Sequence, residues 1–183
     1  ISRLTSAQSA LCLNDSSVIK FERNSLINNI FGASIISSFK IFDFISDEDL
    51  NTISISANHD AYKNNFSYIH KRKIIIDKKN GNLHGEDNLI SENNNTVSLN
   101  NYSIRFHLYP GLNAVQTIGG NSILIQIDKN KSLIFKANSE NITLEKSIFL
   151  GRSQIINNSC ITVSGSLKNC ENKNICWELK KNN

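Results

Sequence analysis

Strands dominate this sequence, and the predicted class is all-β, an antiparallel β-sandwich. Three observations carry that reading: apolar and polar residues alternate in short runs, turn residues separate the runs, and no convincing amphipathic helix intervenes. Short strands at close spacing pair antiparallel, and two stacked sheets are the simplest way to cover both inward faces.

Taken in order, the elements begin ambiguously. Leu26-Ile27-Asn28-Asn29-Ile30-Phe31 fits either a short helix near residues 24–32 or a strand, and Ser46-Asp47-Glu48-Asp49 reads as a polar loop. Ile53-Ser54-Ile55-Ser56-Ala57 then alternates as a strand with one buried face should. Lys73–Ile76 and Leu83 flank Asn80-Gly81, residues that accept the positive φ of a two-residue type I′ hairpin. Tyr102, Ile104, Phe106 and Leu108 fall on one face of the next strand, with Ser103, Arg105 and His107 on the other. Ile123, Ile125 and Ile127 alternate again, and Leu133–Lys136, Ile142–Phe149, Gln154–Val163 and Ile175–Leu179 complete the series. Gly119-Gly120, Asp128-Lys129-Asn130 and Asn157-Asn158 mark turns between them. Neither a boundary nor a repeat divides the chain, so one sandwich domain is expected over residues 1–183.

Composition narrows the function. The chain has no Met and opens on Ile1-Ser2-Arg3, which reads as part of a longer protein, and no signal peptide is visible. No apolar run approaches the roughly 18 residues a helix needs to cross a bilayer, so membrane insertion is not expected. The net charge of +4 is spread thinly, and its densest cluster is only His70-Lys71-Arg72-Lys73. That mild balance favours an acidic partner, but it lacks the basic stripe with interleaved aromatics that nucleic acid requires. Abundant Asn inflates Asn-x-Ser/Thr matches such as Asn65-Phe66-Ser67 and Asn141-Ile142-Thr143, and no glycosylation is read from them. The cysteines Cys12, Cys160, Cys170 and Cys176 form no C-x-x-C pair. Reduced thiols are the simpler reading, with Cys160–Cys176 or Cys170–Cys176 as the disulfide alternatives.

Candidate chemistry is scattered. His59, His70 and His107 sit on strands whose facing could bring them together, yet no short-spacing motif forces the three or four ligands zinc needs. A nucleophile elbow and a phosphate-cradling glycine loop are both absent. The acidic groups Asp47/Glu48/Asp49 and Glu86/Asp87 could serve acid–base chemistry or hold calcium, but charge runs in turns are ordinarily solvated.

Several phrases taken together carry a resemblance. In order they are Ser2-Arg3-Leu4-Thr5-Ser6-Ala7-Gln8-Ser9, Ala57-Asn58-His59-Asp60-Ala61-Tyr62, His70-Lys71-Arg72 and Gly85-Glu86-Asp87. Arg105-Phe106-His107-Leu108-Tyr109-Pro110-Gly111, Leu144-Glu145-Lys146-Ser147, Arg152-Ser153-Gln154-Ile155 and Trp177 follow. By their order and spacing over nearly the whole chain, the sequence resembles the C-terminal β domain of bacterial heparinase II/III-like proteins, a polysaccharide lyase family.

The resemblance implies a sandwich preceded by a helical toroid, with an acidic polysaccharide in the cleft between them and β-elimination at a uronic acid. It places the principal catalytic His and Tyr residues in the toroid and in early strands upstream of Ile1, and it suggests a periplasmic or secreted protein. The partners it implies are an acidic polysaccharide and the N-terminal helical domain of the same protein. The family's zinc-binding His falls at Gln8, a poor zinc ligand beside imidazole, so neither metal nor cofactor is expected. His59, Asp60, Tyr62, His70 and Arg72 match recurrent family positions and are the substrate-binding candidates, while no catalytic role carries over to this chain. The family's Gly stands here as Ala61, and a second family His as Tyr109.

Overall fold

The computed structural model describes residues 4–21, 29–30, 38–92, 100–151, 154–167 and 171–182. After a 3-10 turn at Thr5–Ala7, the strands in chain order are β1 (Leu11–Leu13), β2 (Ile41–Glu48) and β3 (Thr52–His59). A one-turn helix α1 (Lys63–Phe66) leads to β4 (Tyr68–Asp77), β5 (Asn82–Ser91), β6 (Asn100–His107), β7 (Asn113–Gln116) and β8 (Ser122–Gln126). The last strands are β9 (Ser132–Ala137), β10 (Asn141–Gly151), β11 (Gln154–Leu167) and β12 (Lys173–Asn182).

They form two antiparallel sheets, ordered β1-β6-β11-β10 and β2-β3-β4-β5-β12-β9-β8-β7. The sandwich read from periodicity is the fold observed. Of the short helix expected near residues 24–32, only Asn29 and Ile30 are described, and both are helical. The rest of that expectation lies outside the described residues. No helix among the described residues is long and apolar enough to cross a membrane.

Period-two alternation builds the core as the sequence suggests. Leu11, Leu13, Ile104, Ile161 and Val163 of the smaller sheet meet Leu89, Ile123, Phe135, Ile175 and Trp177 of the larger. Phe106 stands edge-on to Trp177, with centroids 4.7 Å apart, and tilts against Phe135 at 4.9 Å. Gly85 lies opposite Trp177 in the β5–β12 ladder, and a Cβ there would fall inside the indole. Only glycine lets that ring lie flat over β5.

Three local expectations need correction. Ser46, Asp47 and Glu48 belong to edge strand β2, and the turn begins at Asp49, whose carboxylate accepts the Asn51 and Thr52 N–H groups at 2.7 Å. Charge on an edge strand discourages sheet-to-sheet association, and this is why β2 imitates a loop in sequence. Asn157 and Asn158 lie inside β11, paired with Ile148 and Ser147. The Asn80-Gly81 hairpin is real, but its loop covers four residues between Asp77 and Asn82. The Asp77 carboxylate accepts the Lys79 and Asn80 N–H groups, and only Gly81, at φ +67°, takes the left-handed conformation.

Candidate functional site

Four of the five candidate residues meet on the inner side of the larger sheet. His59 pairs with His70 across β3 and β4, and Arg72 pairs with Asp87 across β4 and β5. Alternate residues of a strand share a face, so His70 and Arg72 both point where Asp87 points. His70 Nε2 lies 2.7 Å from Asp87 Oδ1, and His59 Nε2 lies 2.9 Å from His70 Nδ1. Arg72 donates from Nε to Asp87 Oδ1 at 2.7 Å and from Nη2 to Oδ2 at 3.1 Å. The Trp177 indole N–H completes the set, 2.9 Å from Oδ2.

The partners dictate the protons. An ionised Asp87 only accepts, so His70 donates from Nε2 and presents a lone pair at Nδ1. His59 donates from Nε2 into that lone pair, and its own Nδ1 accepts the Ala61 N–H at 3.3 Å. Burial, then the neighbouring His70, drives the His59 pKa down from 6.5 to about 4. Burial alone would raise the pKa of Asp87. The His70 hydrogen bond and the Arg72 charge outweigh it and hold the carboxyl at about 2.

This network also ties the two sheets. Arg72 Nη1 donates to the Ser9 carbonyl at 2.7 Å, and Tyr62 donates its hydroxyl to the Leu11 carbonyl at 2.6 Å. Burial pushes the Tyr62 phenol up. Asp60 stands apart, accepting the Lys40 N–H at 2.7 Å. His70 is 5% exposed, Tyr62 1% and Asp87 0%, so the assembly faces inward. Neither Asp87 nor Trp177 is among the substrate-binding candidates. The parity of Leu83 and Leu89 puts Asp87 on the inner face, a signal available in the sequence and overridden by reading Glu86-Asp87 as a solvated turn.

His107 is elsewhere, on the outer face of the smaller sheet beside an open cleft of about 480 Å³. Strand β6 stops at His107, and the chain turns away through Pro110-Gly111, with Gly111 at φ +89° and Leu112 N–H bonded to the Tyr109 carbonyl. Strands β10 and β11 run on together to Gly151↔Gln154, so one wall of the sheet overshoots the other. The Ser6–Ser9 segment closes the opposite side.

Here too the partners fix the tautomer. His107 Nε2 donates to the Ser6 carbonyl at 3.1 Å, so Nδ1 accepts the Ser147 hydroxyl at 3.0 Å. Asn158 donates from its amide to the Leu108 carbonyl at 2.7 Å, and its buried Oδ1 has no protein partner. Tyr109, 68% exposed, stands edge-on to Phe149 with centroids 5.6 Å apart. Gln8 lines the same cleft, and among the described residues no Asp, Glu, Lys or Arg does.

Other candidates are structural in their contacts. Among the described residues, no three or more His, Cys, Asp or Glu side chains gather as a metal site. Cys160 and Cys176 are free thiols on β11 and β12, in different sheets, as is Cys12, and burial raises the pKa of all three. Both disulfide alternatives required Cys176; Cys170 lies outside the described residues. Glu48 pairs with Lys78 at 2.6 Å beside the turn that Asp49 caps.

The family model described as Heparinase II/III-like, C-terminal matches residues 1–178. Among solved structures, heparan sulfate lyase HepC from Pedobacter heparinus superposes with a TM-score of 0.71 at 13% identity, covering 98% of this chain and 24% of that one. The heparinase III-BT4657 gene product gives 0.69 at 9% identity, and a heparinase III gives 0.66 at 14%, each with coverage of 98% and 24%. At these identities the likeness is one of fold. The chain spans about a quarter of the length of those structures. Among curated proteins none matches it.

Proposed function

The chain belongs to the heparinase II/III-like family through its C-terminal domain, and from that premise we propose that it is the C-terminal sandwich of a polysaccharide lyase. The reaction is β-elimination on a uronic-acid polysaccharide. The uronate C6 carboxylate is neutralised, a base removes the C5 proton, and an acid assists departure of the C4 oxygen. These three roles fall to the remainder of the whole protein, an N-terminal helical domain that forms the polymer cleft with this one and the early sandwich strands that join the two. The observation that carries the reading is the family match over residues 1–178.

In this reading His59, Tyr62, His70 and Arg72 are positioning residues. They serve the cleft from behind, by fixing the first strand of the smaller sheet to β4 and β5. The inward direction of their hydrogen bonds supports that role, as does the near-complete burial of His70 and Tyr62. Asp60 fixes the approach to β2. A second reading, a glycan-binding sandwich without chemistry, is favoured by the open cleft beside His107.

The test is to extend the reading frame upstream of Ile1, express the whole protein and offer it heparan sulfate and other polyuronates. It should release products with the ultraviolet absorbance of an unsaturated uronate, and the 183-residue chain alone should release none. A whole protein that leaves every polyuronate uncut overturns the lyase reading. Cleavage by the 183-residue chain alone overturns the placement of the chemistry elsewhere.

A further inference from the structure

We propose that β10 is a pairing edge whose partner is the β10 of a second copy of this chain, running antiparallel about a two-fold axis at Ser147. The inference concerns assembly and is independent of the reaction proposed above.

The two sheets have β1, β10, β2 and β7 at their edges, and three of these are blunted. Strand β1 is three residues long and β7 is four. Strand β2 carries Asp43, Asp47 and Glu48, and its register with β3 shifts between Phe42 and Ile45. Short length, charge and irregular pairing are the usual protections of an edge. Strand β10 keeps only one adjacent pair of opposite charges, Glu145 and Lys146. It runs eleven residues, pairs with β11 residue for residue, and continues into Ile148-Phe149-Leu150. Ile148 and Leu150 lie exposed on the face whose earlier residue Leu144 packs against the core.

Bonds already made fix which groups this edge offers. Ser159 accepts the Leu108 N–H at 2.9 Å, so its main chain turns toward β6 and away from Lys146 opposite it. Lys146 therefore turns its own N–H and C=O to the open side, and alternation gives Leu144, Ile148 and Leu150 the same direction. Ile142 has that parity too, and its carbonyl accepts the Gln116 side-chain N–H at 2.7 Å. Gln116 caps the edge where β7 reaches it. From Leu144 to Leu150 no strand lies alongside among the described residues.

A second β10 matches this edge group for group. With Ser147 facing its own counterpart, Leu144 pairs with Leu150 and Lys146 with Ile148 on each side of the axis. All four residues then exchange both bonds with the other copy. No charge stands directly opposite a like charge, since Glu145 meets Phe149. Leu144, Ile148 and Leu150 of the two copies join into one apolar strip, which takes the exposed Ile148 and Leu150 side chains out of water. Each copy brings one such edge, so the assembly closes at two copies, as a self-complementary interface does.

Sedimentation equilibrium of the 183-residue chain should show a concentration-dependent doubling of mass. Ile148→Pro removes a donor from the open side alone, which an edge strand tolerates. Leu150→Lys sets a lysine against the other copy's Leu144. Both variants should stay monomeric over the same concentrations, with thermal melts establishing that each is folded. Ser147→Cys should form an intermolecular disulfide on mild oxidation, because opposed residues of a non-hydrogen-bonded pair lie about 4.5 Å apart at Cα, within disulfide reach. The wild-type chain, with its free and partly buried Cys176, is the control and should not cross-link. A wild-type chain that is monomeric at every concentration overturns the proposal, as does a mass that grows beyond two copies. A dimer that survives in folded Ile148→Pro and Leu150→Lys uses another face and overturns it too. A dimer that those variants dissolve but Ser147→Cys does not cross-link overturns the axis at Ser147.

Discussion

Around Asp87, both imidazoles, the guanidinium and the indole N–H all find partners inside the sandwich. Around His107, an imidazole with an equally fixed tautomer sits beside a serine and an asparagine that line an open cleft. The difference lies in the carboxylate. Asp87 gathers four donors and leaves nothing over, so its cluster is closed and contributes rigidity. His107 is anchored by a backbone carbonyl, which takes one proton and lets the rest of the cluster look outward. Histidine on a strand is therefore uninformative until its second nitrogen is accounted for.

The sharpest way to break the closed cluster is Asp87→Asn. It leaves the partly buried Arg72 beside a neutral amide and should cost about 3 kcal/mol, read by chemical denaturation. A loss under about 1 kcal/mol would mean the carboxylate is not what ties the strands. Trp177→Phe removes one charge-assisted donor and should cost about 2–3 kcal/mol, with Arg72 and His70 still in place.

Acid should separate the two clusters next. His59, held at about 4 against an ordinary 6.5, refuses a proton that the unfolded chain accepts. Its folded pKa is depressed, so its contribution is complete above about pH 6.5 and drains as pH falls towards 4. Asp87, held at about 2, drains further stability between about 3.8 and 2. The first loss should be of order 2 kcal/mol after partial exposure is allowed for, and His59→Gln should flatten it. An unchanged slope in that variant would place the sensitivity elsewhere. The smallest effect belongs to the open side: Tyr109→Ala should change stability by less than about 0.5 kcal/mol while altering glycan binding, a separation the closed cluster cannot show.

How far the sequence reveals all this depends on the distance over which a contact is made. The alternations at Ile53–Ala57 and Tyr102–Leu108 report their own faces, because burial of one side of a strand is written in neighbouring residues. The meeting of His59 and His70 needs only one hairpin-like return, and it was foreseeable as soon as the two strands were. Asp87 with Trp177 joins residues 90 positions apart, and no local pattern announces such a pair. The cleft is harder still. It exists because β6 ends at His107 while β10 and β11 continue, and the relative lengths of neighbouring strands are a matter of register. The charged edge strand β2 and the paired Asn157-Asn158 show the opposite failure, where polar residues that resemble turns are strand residues on exposed positions.

The inward network also has a history in time. Arg72 reaches back 63 positions to Ser9, Tyr62 reaches back 51 to Leu11, and Asp87 waits 90 positions for the indole of Trp177. Contacts of such separation form late, since the chain between them must first surrender its freedom. On the ribosome, β4 and β5 can pair long before β12 has been made, and through that interval Asp87 keeps its shell of water. Arrival of the tryptophan seals the carboxylate and registers that both ends of the sandwich have found each other.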